Sequence, residues 1–234
     1  MRQVHHIFRK EFKSYFVSPI AYIVIGIFLL VSGWFFFTPF FLFNQANLRN
    51  FFALLPVVFS FVVPAITMRL FSEELSVGSY ELLLTMPVTI LDIVLGKFLA
   101  SVVFVAAMLT PTVAYPIAVS FLGQLDWGPV FGGYIGAVLL GAAFSAIALF
   151  ASSLTRNQII AFIAGMAICF ALTLLDKMLF FLPRSLLEIL QYLGADFHFQ
   201  NISKGIVDSR DIIYFFSVCF IGLYATHLAL QEKR

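Results

Sequence analysis

The segment IAYIVIGIFLLVSGWFFFTPFFLF, Ile20–Phe43, contains no charged side chain. A helix needs about 20 apolar residues to cross about 30 Å of hydrocarbon, so this segment is long enough to span a membrane. A lone strand facing lipid would leave its backbone groups without partners, and a membrane barrel needs alternating segments of about ten residues. The segment therefore predicts an all-α integral membrane protein.

The composition of the whole chain supports this prediction. Of its 234 residues, 62% are hydrophobic and 11% are charged, and 30 are phenylalanine. A soluble domain carries about 25% charged residues, which cover its surface with groups that water solvates. The net charge of +2 is too small to indicate nucleic-acid binding. The two cysteines lie in apolar runs, which is typical of small core residues.

Further apolar segments give six predicted spans in one domain covering residues 1–234. The spans are Ile20–Phe43, Phe51–Met68, Phe98–Leu122, Val130–Leu154, Ile159–Leu175 and Ile212–Leu230. With both termini in the cytoplasm, nine Lys and Arg lie on cytoplasmic segments and five lie on outer loops. This bias follows the positive-inside rule and predicts that both termini are cytoplasmic.

Residues 1–18 have two faces if they form a helix. Apolar side chains, Phe8 and Phe12 among them, share one face, and basic side chains, Arg9 and Lys13 among them, share the other. This pattern predicts an amphipathic helix in the cytoplasmic membrane interface, in contact with lipid. A simple lipid anchor is the alternative, but Glu11 falls toward the apolar side, which favours a basic partner within the protein.

Two further patterns concern packing near the outer side. Gly132 and Gly136 form a GxxxG motif in the fourth span, which permits close helix packing inside the chain or across a dimer. The long loop before the last span contains leucines at helical spacing in Arg184–Leu193. We therefore expect a short helix there, followed by a turn near Gly205.

No pattern of catalytic or metal-binding residues is recognisable. The sequence has no G-x-x-x-x-G-K-[ST] phosphate loop, no G-x-S-x-G elbow, and no histidine pair at metal-binding spacing. No Asp, Glu, Lys or Arg lies at mid-depth in the predicted spans, where ion-coupled transporters usually need one. We therefore expect this chain to be non-catalytic, with no metal or cofactor of its own.

The loop MRLFSEELSVGSYELLLTMP, Met68–Pro87, has an amphipathic pattern. Its apolar stripe is formed by Phe71, Leu75, Leu82 and Met86. Glu73, Glu74 and Glu81 gather on the opposite side, Gly78 allows close backbone approach, and Pro87 ends the predicted helix. Glutamates are unfavourable against the negative inner leaflet. We therefore expect this cytoplasmic helix, between spans two and three, to face a protein.

The segment PAITMRLFSEELSVGSYELLLTMPVTILDIVLGKFLA, Pro64–Ala100, resembles the signature of ABC type-2 permeases, the membrane subunits of ABC exporters. The pattern R-x-x-x-E-E…G-[ST]-x-E-L-L-L-[ST]-x-P-[VI] is far more specific than six spans alone. The outer segment LGADFHFQNISKGIVDSRDIIYF, Leu193–Phe215, is similar to the subgroup that includes the gliding-motility-associated permease. The resemblance extends over the whole chain.

The resemblance implies a half-transporter in the bacterial inner membrane. It would pair with a second copy or a related permease and with two copies of an ABC ATP-binding subunit, which would bind ATP and Mg²⁺. The residues implied to contact the ATPase are Glu73, Glu74, Gly78, Glu81, Leu82 and Pro87. Spans two and five would flank the dimer axis and the pathway. Candidate residues there are Phe52, Phe59, Ser60 and Phe162, for which plain packing is the alternative.

Two other functions remain open from the sequence. The chain could be a membrane-embedded scaffold that moves an auxiliary protein with a large periplasmic domain, as in gliding-type relatives, without transporting a substrate. A stand-alone secondary carrier should show internal repeats with charged or broken mid-membrane sites, and neither is evident.

Overall fold

The computed structural model of the protein describes residues 2–43, 48–80, 88–175, 177, 192–206 and 208–233. Every regular element among them is helical, which confirms the all-α prediction. The α-helices are α1 (Arg2–Val17), α2 (Pro19–Phe43), α3 (Arg49–Thr67), α4 (Arg69–Val77), α5 (Ile90–Leu109), α6 (Ala114–Leu122), α7 (Trp127–Leu154), α8 (Gln158–Leu174), α9 (Ala195–Ser203) and α10 (Ser209–Gln231). A 3-10 turn, Thr110–Val113, joins α5 to α6 at Pro111.

Several helical stretches are long and apolar enough to cross a membrane. They are Pro19–Thr38, Arg49–Val77, Ile90–Phe121, Trp127–Leu154 and Ser209–Gln231. The remaining apolar helix, α8, has 17 residues and is therefore shorter. At 1.5 Å per residue it is about 26 Å long, slightly less than the hydrocarbon thickness of about 30 Å. Five of the six predicted spans are supported by length, and the span Ile159–Leu175 stays a prediction.

The third apolar helix begins at Ile90, upstream of the predicted span start at Phe98, which stays a prediction. A capping box causes the earlier start. The Asp92 N–H donates to Thr89 Oγ1 at 3.2 Å, and the Thr89 N–H donates to Asp92 Oδ2 at 3.3 Å. Together they satisfy two N–H groups that a helix start otherwise leaves open. As a result, Lys97 lies about two turns inside α5 rather than at its end.

The central helix is α7, which packs against α3, α5, α8, α9 and α10. Its small residues pack against other helices of the same chain. Gly132 and Gly136 lie under Ile202 and Phe199 of α9. Further along, Gly141 packs against Val105 of α5. Intramolecular packing, one of the two uses predicted for the GxxxG motif, therefore accounts for this face of α7.

The candidate pathway residues of α3 lie inside the chain. Phe52, Phe59 and Ser60 are buried in the core, and the Ser60 hydroxyl donates to the Val57 carbonyl at 2.6 Å. Phe162, on α8, is half-buried. The packing alternative therefore describes the three α3 residues, and among the four candidates Phe162 alone is accessible to a second chain.

Substituting Gly133 by alanine is expected to destabilise the protein. The Phe52 ring covers Gly133 so closely that a Cβ atom would overlap it. The ring cannot move freely because Phe51 and Tyr134 pack against it, with centroids 5.2 and 5.5 Å away. Overpacking of this kind costs about 1–3 kcal/mol. Thermal unfolding of the full chain in detergent should show a lower Tm for Gly133→Ala.

The matched control for this substitution is Gly26→Ala in α2. No atom from outside its own helical turn lies within 4 Å of the position that its Cβ would take. This variant should be neutral, or more stable by up to about 1 kcal/mol through helix propensity. Adding Phe52→Leu to Gly133→Ala should recover part of the loss. Equal Tm values for the two alanine variants would refute the packing argument.

Candidate functional site

A buried lysine connects three helices at the end of the bundle where α1 and α4 lie. The Lys97 side chain on α5 is only 2% exposed. Its Nζ lies 2.7 Å from Glu74 Oε1 on α4 and 3.2 Å from Glu11 Oε1 on α1. It also donates to the Leu70 carbonyl at 2.8 Å. An ammonium has three donors, and these three acceptors match them. We call Glu11, Glu74 and Lys97 the lysine cluster.

The lysine cluster contains two carboxylates and one ammonium. Because Glu11 and Glu74 are 12% and 15% exposed, their attraction to Lys97 is only weakly screened by water. Lys97 Nζ also lies 5.3 Å from the Phe71 ring centroid, within cation–π range. The prediction that Glu11 meets a basic partner inside the protein is confirmed.

The junction between α3 and α4 is fixed to α7 by one hydroxyl group. Ser152 Oγ accepts hydrogen bonds from the N–H groups of Phe71 and Ser72, both at 3.1 Å. The same hydroxyl donates to the Met68 carbonyl at 2.7 Å. On the other side, Arg69 Nη2 donates to Ser18 Oγ, between α1 and α2, at 3.1 Å. The start of α4 therefore has hydrogen-bonded contacts to both α7 and the α1–α2 connection.

The structure separates two glutamates that the sequence placed together. Glu73 is exposed, whereas Glu74 turns inward to Lys97, so the expectation that both project away from the apolar side is corrected. The cause is Lys97, whose charge would otherwise be buried without a partner. Ser76 and Val77 complete the exposed face of α4, and Val77 is 75% exposed.

The helix containing these residues ends earlier than predicted. Gly78 has φ 76°, a left-handed conformation that terminates α4, so Pro87 is not its end. Glu81, Leu82 and Pro87, which the sequence assigned to ATPase contact, lie outside the described residues. Tyr80 is buried, and its hydroxyl donates to the Leu230 carbonyl of α10 at 3.4 Å.

The N-terminal helix predicted for residues 1–18 is present as α1, and it packs on protein. Phe8 and Phe12 are half-buried, while Arg9 and Lys13 are exposed, as the amphipathic pattern predicted. The Tyr15 ring lies 4.8 Å from the ring of Phe104 on α5. Burial raises the pKa of the Tyr15 hydroxyl, which stays neutral and donates to the carbonyl of Ile66 at 3.4 Å.

A cleft between α1 and α4 exposes part of the lysine cluster to solvent. Its volume is about 330 Å³. Its charged lining residues are Lys10, Glu11, Arg69, Glu73, Glu74 and Lys97. One carboxylate oxygen, Glu74 Oε2, is buried and has no hydrogen-bond partner among the described residues. The site therefore combines a fixed internal ion pair with an exposed face on α4, which suits a helix that receives force from another protein.

A second buried polar pair lies near the opposite end of the bundle. His198 on α9 is fully buried, with Nδ1 2.6 Å from Asp211 Oδ1 of α10. Its Nε2 lies 2.8 Å from the Tyr192 carbonyl, and its ring stacks on Tyr214 at 4.1 Å. The pair attaches α9 to the first turn of α10.

Sequence reasoning missed Lys97, Ser152 and α9. The available signal for Lys97 was its position two turns inside an apolar helix, because a buried charge at such a position needs partners. The apolar spacing of Ala195, Phe199 and Ile202 could have revealed α9. The turn predicted near Gly205 is confirmed, with φ 84° at that glycine. The helix predicted for Arg184–Leu193 lies almost entirely outside the described residues.

Among the described residues, no group of three or more His, Cys, Asp or Glu could hold a metal ion. No curated protein matches the chain. A family model described as ABC-2 family transporter protein matches residues 7–230, which includes the lysine cluster, α4, four of the long apolar stretches and all but the last residue of the fifth. The chain therefore belongs to the ABC-2 transporter family and is a membrane-embedded permease subunit of an ABC transporter.

Proposed function

We propose that this permease belongs to an ABC exporter and is driven by a separate ATP-binding subunit that docks on α4. The observation that carries the proposal is the lysine cluster. Through Lys97 and Glu11, a displacement of α4 is transmitted to α5 and α1. Through Met68, whose N–H donates to the Pro64 carbonyl at 2.8 Å, the displacement also reaches α3.

The energy of the buried charges supports joint movement of these helices. Separating Lys97 from its carboxylates would leave uncompensated charges in a poorly solvated site, which costs about 3–5 kcal/mol. Relative motion of α1, α4 and α5 is therefore unfavourable, while motion as one unit keeps all three contacts. A unit of this kind can carry work from the ATPase to the bundle. ATP and Mg²⁺ would be bound by the partner.

The proposed assembly contains two ATP-binding subunits and a second copy of this chain or a related permease. Both termini would be cytoplasmic, and α8 would be the fifth of six spans of a bacterial inner-membrane protein. Apolar side chains on α8 such as Ile159, Ile160 and Ile163 are exposed, which suits contact with lipid or with the second permease. Contact with another protein would also help a helix of 17 residues to cross the bilayer.

A second candidate function is a scaffold that transmits ATP-driven motion to an auxiliary protein with a large periplasmic domain. The observation favouring it is the attachment of α9 to α10 through His198 and Asp211, which offers a firm outer contact point. The similarity of Leu193–Phe215 to the gliding-motility subgroup points in the same direction. In this case, ATP turnover should depend on the auxiliary protein, and no solute should accumulate in sealed vesicles.

Docking on α4 can be tested with the variant Glu73→Arg/Val77→Lys. The two residues lie four positions apart on the exposed face of α4. If the ATPase receives α4 in a basic groove that matches Glu73, the two introduced cations should be repelled by it, at a cost of several kcal/mol. We expect co-purification of the ATPase with the permease to fall at least about tenfold, together with coupled ATP turnover.

The control variant is Glu232→Arg, which reverses one exposed charge beyond the end of α10. It should assemble like the parent, and all variants should keep the parent's Tm in detergent because no buried contact changes. Normal co-purification of the ATPase with the Glu73→Arg/Val77→Lys variant, together with normal ATP turnover, would show that α4 is not the docking helix.

A further inference from the structure

A half-apolar pocket lies at the end of the bundle opposite the lysine cluster. It is enclosed by the start of α3, the loop before α7 and the end of α9, and its volume is about 320 Å³. Its apolar wall includes Leu48, Phe52 and Val130, and its polar rim includes Arg49 and Lys204. We call this the outer pocket. Its volume is that of about ten liquid water molecules.

The position of the outer pocket relative to a bilayer follows from α3. This helix has 19 residues, so Arg49 lies about 28 Å from the α3–α4 junction, close to the thickness of a hydrocarbon core. Beside the pocket, α7 begins with exposed Trp127 and Phe131, whose ring centroids are 6.0 Å apart. Exposed tryptophan at the end of an apolar helix is typical of the headgroup level.

The charges of the outer pocket are not balanced from within. Arg49 and Lys204 have no ion-pair partner within 4 Å in the part of the chain that the structure describes. The one acidic residue in the lining, Asp126, uses Oδ1 to accept from the Gly128 N–H at 3.1 Å and so caps α7. Two cations beside one acid leave a net charge of about +1, next to an apolar wall.

The geometry of the outer pocket is held by close backbone packing. Gly132 of α7 lies against the Ile202 carbonyl, where a Cβ atom would overlap. Gly205 has φ 84° and packs against Gly128, so the end of α9 is held against the start of α7. Lys204 is therefore carried by backbone that has little freedom to move, which favours binding because less ordering is required.

We propose that the outer pocket binds the anionic headgroup of a membrane amphiphile. Arg49 and Lys204 bind its phosphate, and the apolar wall packs against the first part of its acyl chain. Charge-assisted hydrogen bonds from two cations favour an anionic headgroup over a zwitterionic one, whose own cation would be repelled. The inference does not depend on how the ATPase docks, because the outer pocket lies at the other end of the bundle.

Fluorescence quenching can test the proposal, since the chain contains two tryptophans and Trp127 directly follows Asp126, which lines the outer pocket. Trp34→Phe leaves Trp127 as the reporter. The full chain in detergent micelles is titrated with phosphatidylglycerol brominated on its acyl chains, and separately with phosphatidylcholine brominated in the same way. We expect half-maximal quenching by the anionic lipid at a mole fraction about tenfold lower.

Variants separate this site from general attraction of anionic lipid to basic protein. Arg49→Ala/Lys204→Ala should remove the preference for the anionic lipid. Arg9→Ala/Lys13→Ala, which removes the same charge from the exposed face of α1, should keep it. Arg49→Gln and Lys204→Gln should each lose part of the preference, so the test remains decisive if the double alanine variant does not fold.

Three results would overturn the proposal. The first is equal quenching of the parent by both lipids, and the second is an unchanged preference in every Arg49 and Lys204 variant. The third is relief of quenching by a soluble competitor. Relief by millimolar inorganic phosphate would assign the site to a free anion, and relief by a hexaglutamate peptide would assign it to an acidic protein segment. We expect neither competitor to change the quenching.

Discussion

Replacing Lys97 by methionine is expected to destabilise the protein by about 3–5 kcal/mol, because it removes one partner of a buried ion pair. Glu11 and Glu74 would lack their ammonium partner in a site where they are only 12% and 15% exposed. Methionine has a similar length, so little of the loss would come from an empty space. For a chain of this size the change corresponds to a fall in Tm of roughly 10 °C.

Thermal unfolding of the full chain in detergent measures this effect. The triple variant Lys97→Met/Glu11→Gln/Glu74→Gln should recover most of the stability, because no charge then remains buried. Lys10→Met is the matched control, since Lys10 also lies near Glu11, at 3.7 Å, but is 68% exposed. Exposed pairs contribute about 0–1 kcal/mol. The importance of burial would be refuted if Lys97→Met and Lys10→Met unfolded at the same temperature.

The triple variant also separates stability from coupling. It keeps Glu73 and Val77 on the exposed face of α4 but loses the charged connection to α5 and α1. We therefore expect the ATPase to co-purify with this variant. ATP hydrolysis by the bound ATPase should, however, no longer respond to the permease. Loss of co-purification in a stable triple variant would instead indicate that the lysine cluster shapes the docking surface itself.

Replacing His198 by leucine is the change expected to have the next largest effect. Asp211, 4% exposed in its side chain, would lose its 2.6 Å partner and remain buried. Leaving a buried carboxylate without its partner costs about 3 kcal/mol or more. Because the pair attaches α9 to α10, we expect a lower Tm and release of α9 from α10.

Labelling of Ser203→Cys by a water-soluble maleimide reports the release of α9, in a background where Cys169 and Cys219 are alanine. The labelling rate should rise in His198→Leu and return toward the parent in His198→Leu/Asp211→Leu, which buries no charge. His6→Leu, on the exposed part of α1, is the control and should change neither quantity. An unchanged labelling rate together with an unchanged Tm in His198→Leu would show that the pair does not hold α9.

Local features of the sequence were sufficient to predict the helical class, α1 and five of the spans. Continuous apolar runs such as Ile20–Phe43 need no knowledge of their neighbours, because the bilayer alone decides whether they insert. The end of α4 was harder to predict, because Gly78 and Pro87 are both helix terminators and the sequence does not rank them. The left-handed φ of Gly78 decides this point in the folded chain.

The site could be predicted from sequence only where a charged residue lay on an otherwise apolar helix face. Glu11 stood on an apolar face, which was enough to infer a basic partner. Glu73 and Glu74 look alike in sequence, and their different environments depend on Lys97, which is 23 residues from Glu74. The His198–Asp211 pair likewise joins residues 13 apart on two helices. Such contacts require the tertiary arrangement, which helical periodicity does not supply.

The distance along the chain between Glu11 and Lys97 has a consequence for synthesis. The two residues are 86 positions apart, and ribosomes add about 5–20 residues per second, so Glu11 is made about 4–17 s before its partner. During that interval Glu11 lacks its Lys97 partner, although it lies on the face of α1 that later packs against α5. The helix α1 therefore cannot complete its packing until the third apolar helix, α5, has entered the membrane. Although α1 is synthesised before α5, it reaches its final position only after α5 is in place.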